Sequence, residues 1–119
     1  MVFLLYGSLM KYFETKFLEE ADKFLASLDR KLVAKVLYNI DLAEKKHDPK
    51  LFKKLKDDIW EFRIRYVNKQ VRLLAFWDKT DNKETLVFAT HGFIKKTSKV
   101  PLSDIERAKR IKDYYFENK

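Results

Sequence analysis

Residues Trp60-Glu61-Phe62-Arg63-Ile64-Arg65-Tyr66 alternate strictly between large apolar and charged side chains, and this run decides the fold. In an extended chain Trp60, Phe62, Ile64 and Tyr66 share one face, while Glu61, Arg63 and Arg65 share the other. Asn68-Lys69 supplies a hairpin turn, and Val71 to Trp77 is a continuous β-rich run with Arg72 near its start. Thr80-Asp81-Asn82 makes the next turn. Leu86 to Thr90 then gives a further strand that ends at His91-Gly92. The three runs predict consecutive hairpins.

Upstream of this stretch the period changes. Tyr12 to Phe17 alternates and suits a first strand, after which Leu18, Ala21, Phe24, Leu25 and Leu28 recur at three- and four-residue spacing. Asp29 reads as the N-cap of a second helix with Leu32, Val33, Val36, Leu37, Ile40 and Ala43 on its buried stripe. A short connection between matched stripes predicts an antiparallel helical hairpin. Asp48-Pro49 reads as another helix start, leading into Leu51-Phe52-Lys53-Lys54-Leu55. Downstream, Ser103-Asp104-Ile105-Glu106 fits a capping box after Pro101. The last helix then turns Ile105, Ala108, Ile111 and Tyr115 inward and Arg107, Lys109, Arg110 and Lys112 outward. The expected order is β-α-α-β-β-β-α, an α+β fold with helices on one side of a small, mainly antiparallel sheet.

The chain has 119 residues, a size that suits one domain with a single core, and 2 Gly and 2 Pro leave no room for a low-complexity linker. Absence of cysteine excludes a disulfide framework, a thiolate metal site and a Cys nucleophile. The 26 Lys and Arg exceed the 18 Asp and Glu, for a formal net charge of +8. Residues 1–48 hold 8 basic and 8 acidic side chains, so the whole excess lies after Asp48. A one-sided surplus of this size predicts an electropositive face and a polyanionic partner, above all nucleic acid. MVFLLYGSLM lacks a basic leader and is far shorter than the roughly 20 residues that span a bilayer. The protein is therefore expected to be cytoplasmic and to have no membrane partner. Met10-Lys11 reads as a natural start, which makes residues 1–9 an upstream extension; an edge strand at Val2 to Tyr6 is the alternative.

There is no Gly-rich phosphate loop, no H-E-x-x-H and no G-x-S-x-G. Two histidines without cysteine argue against a zinc site, and neither a metal nor a cofactor is expected. His47 precedes the Asp-Pro start and reads as a loop residue. The unusual cluster is E-x-R-x-R at 61–65, then Arg72, then H-G-x-x-K-K at 91–96. Paired hairpins place Arg63, Arg65 and Arg72 on or beside one sheet face, with His91, Lys95 and Lys96 leaving a neighbouring strand nearby. Alternation alone accounts for solvent-facing arginines. Three guanidinium forks converging beside a His-Gly and a Lys-Lys make a surface that matches phosphate oxygens.

These same residues carry a resemblance. I-W-E-F-R-I-R-Y (59–66), V-R-L-L-A-F-W (71–77) and A-T-H-G-F-I-K-K-T-S-K-V-P (89–101) resemble the HigB-like, phage-related branch of the RelE/ParE toxin superfamily, as does A-E-K-x-x-D-P-x-L-F-K-K-L (43–55). The resemblance covers roughly residues 12–117 and leaves residues 1–11 outside, as an N-terminal extension. It implies a RelE/ParE-like fold with an N-terminal strand and helical hairpin packed on the sheet, and a C-terminal helix. It also implies the toxin of a type II toxin–antitoxin pair that enters the ribosomal A site and cleaves mRNA without a metal. The ribose 2′-hydroxyl attacks the adjacent phosphate, leaving a 2′,3′-cyclic phosphate and a free 5′-hydroxyl. Its partners would be the ribosome with its rRNA, mRNA, and a cognate helix-turn-helix antitoxin.

Such chemistry needs a proton acceptor, cations for the transition state and a proton donor to the leaving oxygen. The resemblance assigns Arg63, Arg65 and Arg72 to phosphate binding and developing charge, with Lys95 and Lys96 adding phosphate contacts or a proton. His91 titrates nearest neutrality, so it reads as a general acid or base, or as a residue that closes a strand through a backbone carbonyl. Glu61 reads best as an arginine's salt-bridge partner, with proton acceptance the alternative. Two other functions fit parts of the pattern. One is a ParE-type DNA gyrase inhibitor, for which a phosphate-cleaving face is superfluous. The other is a non-catalytic RNA-binding module stacking bases on Trp60, Tyr66 or Trp77, positions that alternation more often makes core.

Overall fold

The computed structural model describes residues 11–80 and 86–119. The suggested strand at Val2 to Tyr6 and positions 81–82 of the second turn lie outside the described residues. The elements run β1 (Glu14–Phe17), α1 (Glu19–Ala26), α2 (Arg30–Lys45), β2 (Phe52–Lys54), β3 (Trp60–Tyr66), β4 (Lys69–Asp78), β5 (Leu86–Ile94) and α3 (Leu102–Glu117). Among the described residues five strands form one sheet in the order β1-β5-β4-β3-β2. β1 pairs with β5 in parallel, and every other pairing is antiparallel. The expected α+β architecture is present, with one strand more than the sequence suggests.

That extra strand replaces the helix expected after Asp48-Pro49. The Asp48 carboxylate accepts the Lys50 N–H at 2.9 Å and its carbonyl accepts the N–H groups of Leu51 and Phe52. One turn is thus capped and closed. Phe52 then leaves the turn for the core, where its ring lies 4.4 Å from Phe62 and 5.0 Å from Phe13. The burial of this aromatic cluster outweighs the local helix signal. Residues 52–54 consequently pair with Phe62, Glu61 and Trp60.

Helices cover both faces of the sheet, not one as the sequence suggests. Val71, Leu73 and Ala75 of β4 pack with Phe62, Ile64, Val87 and Ala89 against Leu32, Val36 and Ile40 of α2 and Ala21 of α1. Leu74 and Phe76 point the opposite way, onto Ile105 and Ala108 of α3. β4 is buried on both sides over most of its length, which explains its unbroken apolar sequence. The Asp29 cap forms as expected, its carboxylate accepting the Leu32 N–H at 2.9 Å. Leu37, assigned to the buried stripe of α2, is exposed, because the sheet takes up only the Leu32-Val36-Ile40-Ala43 line.

Three turn and cap expectations also shift. The β3–β4 loop is Val67-Asn68, since Tyr66 pairs with Lys69. Val67 takes φ 55°, an uncommon conformation for a β-branched residue. α3 starts one residue after Pro101, with Pro101 at the N-cap position and no side-chain cap. Ser103 therefore caps nothing, and Asp104 of the expected box is turned toward His91. Finally, His91-Gly92 lies inside β5, past a bulge where Leu74 faces His91 and Ala75 faces Ala89. Gly92 is required by packing: a Cβ there would lie 2.3 Å from the Phe24 ring and 2.8 Å from Leu73.

Candidate active site

The alternation of β3 and the register of its neighbours decide which charges meet. Arg63 lies directly opposite Arg72, Arg65 opposite Gln70, and Lys53 of β2 opposite Glu61. All these side chains belong to the face that carries α3 further along. α3 covers the end holding Leu74 and Phe76, while Arg63 is half-buried and Arg65 exposed. Two arginines placed directly across a ladder repel one another. Glu61, diagonal to Arg72, offsets that repulsion.

Glu61 is 4% exposed and Arg72 3%. Oε1 of Glu61 lies 3.2 Å from Arg72 Nε, and Oε2 lies 3.6 Å from Arg63 Nε. The forks of Arg72 are further held, one nitrogen donating to the Val71 carbonyl and the other to Gln70 Oε1. Even so, Glu61 Oε1, Arg63 Nε and Arg72 Nε are shielded from solvent without a hydrogen bond among the described residues. Native structures rarely leave buried polar atoms without a hydrogen bond, and these three are held together by charge alone. Burial pushes the Arg72 guanidinium below its ordinary pKa; Glu61 opposes this, and Arg63 and Arg65 add to it.

Lys95 follows β5, its N–H donating to the Gln70 carbonyl at 2.7 Å. Burial, then Arg72, lowers its ammonium pKa; Glu61 partly restores it, while Arg63 and Lys53 lower it further. The structure thus gathers Arg63, Arg65, Arg72 and Lys95 into one group. It adds Lys53, which lies in a strand where the Asp48-Pro49 signal predicts a helix. A cleft of about 520 Å³ runs from Arg65, Arg63 and Arg72 round the uncovered edge of β3 to Lys35 and Lys50.

Lys96, by contrast, is exposed beyond the strand and makes no ion pair among the described residues. His91 shares the face but sits beneath the first turn of α3 and is 1% exposed. Its Nε2 lies 3.1 Å from Asp104 Oδ1 and its Nδ1 3.2 Å from Thr90 Oγ, while that hydroxyl also reaches the Leu74 carbonyl. Burial lowers its pKa despite the Asp104 carboxylate. In this position the ring ties β5 to α3 and presents no open edge to a substrate.

A model of the family "Phage derived protein Gp49-like (DUF891)" matches residues 23–113, from α1 almost to the end of α3. The chain belongs to that family. The Gp49-like family is one of RelE-like toxins of toxin–antitoxin pairs, and its match spans β2 to β5, the strands that build the arginine face. No curated protein matches the chain. In this Gp49-like protein no helix among the described residues is long and apolar enough to cross a membrane. Nor do three His, Asp or Glu side chains cluster there in a way that could hold a metal ion.

Proposed function

We propose that this Gp49-like toxin belongs to the HigB-like branch and cuts mRNA on the ribosome, with the Glu61-Arg63-Arg72-Lys95 group as its active site. The observation that supports the reading is a buried carboxylate, Glu61, set 3.2 Å from Arg72 Nε and 3.6 Å from Arg63 Nε without satisfying the hydrogen-bond geometry of either donor. A phosphodiester with a neighbouring 2′-hydroxyl needs that set: donors for the phosphate oxygens and an acceptor for the hydroxyl proton. Arg63 and Arg72 bind the non-bridging oxygens, and exposed Arg65 guides the strand in. Glu61 orients both arginines. With phosphate drawing the arginines, the Glu61 carboxylate takes the 2′-OH proton as the 2′-oxygen bonds to phosphorus. The bond to the 5′-oxygen breaks, and Lys95, with its lowered pKa, supplies the proton that oxygen needs. The products are a 2′,3′-cyclic phosphate and a free 5′-hydroxyl. His91 is a positioning residue that fixes α3 against β5, and Lys96 contributes a docking charge.

Translation is the expected target and a cognate helix-turn-helix antitoxin the expected partner, which an antitoxin reading frame adjacent to the toxin's would corroborate. Expressed alone in cells, the protein should arrest growth and leave ribosome-bound mRNA fragments ending in cyclic phosphate. Glu61→Gln/Arg72→Met, which strands no charge in the buried pair, should restore growth while circular dichroism shows an intact fold. Undiminished toxicity in that folded variant removes the site. Trapped DNA breaks with intact mRNA would assign gyrase as target, and RNA binding without cleavage would leave a passive module.

A further inference from the structure

The chain's two tryptophans lie together away from the arginine group, on the sheet's other face. Trp60 opens β3 and Trp77 nears the end of β4, their ring centroids 5.6 Å apart and nearly edge-on at 76°. Phe52 stacks on Trp60 at 4.9 Å, so one side of the pair is core. The other side is not. Both half-buried rings line two adjoining clefts of about 300 and 310 Å³, the low end of small-ligand sites.

The walls of these clefts are cationic. Lys53 and Lys54 come from β2 and Lys79 from just after β4, with its ammonium 5.1 Å from the Trp77 ring centroid. Asp58 is engaged by Lys54 at 3.3 Å, and the remaining lysines outnumber the carboxylates. The Trp77 indole nitrogen is shielded yet has no hydrogen-bond partner among the described residues. A buried indole N–H ordinarily finds one. Aromatic rings ringed by lysine suit a strand whose bases stack and whose phosphates seek cations.

One side chain lies between the clefts and the arginine face. Lys53 faces Glu61 across the β2–β3 ladder and its charge bears on Lys95, and it also lines the tryptophan cleft. Among the described residues β2 is the edge strand, so a polyanion can pass round it from one face to the other.

We propose that the Trp60–Trp77 clefts form a base-stacking subsite for single-stranded RNA, holding a nucleotide beside the one that is cut. The subsite rests on the ribonuclease reading only for the claim that this RNA is the substrate.

The test uses the intact protein, whose tryptophan emission comes from this site alone. A ten-nucleotide single-stranded RNA of mixed sequence, labelled at one end, is titrated while label anisotropy and tryptophan emission are read together. Quenching that shares its midpoint with binding is expected, with no quenching by inorganic polyphosphate. Trp77→Leu should weaken binding ~5- to 150-fold, the range for losing one stacked base. Because that change also touches the core, exposed Lys79→Ala serves beside it and should lower the salt slope of binding by about one. Binding with unmoved emission, quenching by polyphosphate alone, or no binding at low salt would each overturn the subsite. Glu61→Gln/Arg72→Met should lose cleavage and keep the quenching. A wild-type protein that quenches on binding but cuts nothing refutes the nuclease and leaves the subsite standing.

Discussion

Glutamine in place of Glu61 removes one charge from beneath two arginines and leaves the shape almost unchanged. At the observed 3.2 Å, two unit charges in an effective dielectric of about 20 attract by about 5 kcal/mol. Removing one partner of a buried pair leaves the other uncompensated and costs about 3–5 kcal/mol. For a domain of this size that lowers Tm by roughly 12–20 °C. Replacing both partners with neutral groups of similar volume removes the stranded charge. Glu61→Gln/Arg72→Met should therefore be less destabilised than Glu61→Gln alone. Its remaining cost is the loss of the two Arg72 bonds to Val71 and Gln70, about 1 kcal/mol each. Urea unfolding followed by far-ultraviolet circular dichroism measures all three variants. On the proposed mechanism the double variant is folded but cuts no RNA. A loss below about 1 kcal/mol for Glu61→Gln, or a double variant equal to the sum of the singles, would refute a desolvated, coupled pair.

Other changes act away from the arginines. Gly92→Ala drives a methyl group into the Phe24 ring and should cost about 1–3 kcal/mol in thermal unfolding, with Phe24→Leu restoring part of it. Val67→Asn should stabilise by about 1 kcal/mol, since asparagine tolerates the positive φ that strains valine, and a lower Tm would contradict that strain. Asp78, at the end of β4, accepts the Tyr115 hydroxyl at 2.6 Å, the Lys119 ammonium at 2.7 Å, and both the N–H and hydroxyl of Thr80. Burial, then the bond to Asp78, raises the Tyr115 pKa from 10.0 to about 12. A raised folded pKa gives stability that is complete below pH 10 and lost as pH climbs toward 12. Unfolding titrations should show that alkaline loss in the wild type, and Tyr115→Phe should flatten it.

The β3 run declared its own two faces because alternation in an extended chain is a property of consecutive residues. The two amphipathic helices and the Asp29 cap were legible for the same reason. Asp48-Pro49 misled because its local signal was real but lasted one turn, and the aromatic cluster around Phe52 then claimed the next residues. Lys53 was lost with that error, although F-K-K before a strand of alternating character was the available signal. The chemistry of His91 singles it out in the sequence, and no local pattern shows that the first turn of α3 covers it.

By itself the sequence determined the α+β class, the basic half of the chain, and the three arginines with Lys95 as candidates. Only the tertiary structure decided that Glu61 underlies Arg63 and Arg72, that Lys53 joins them, and that α3 shields His91 while leaving Arg63 and Arg65 in reach of solvent. Periodicity records which way a side chain points from its own backbone. Which charges meet, and which lose water, depends on strand register and on the helix laid across the sheet, and those are set by packing between residues far apart in the chain.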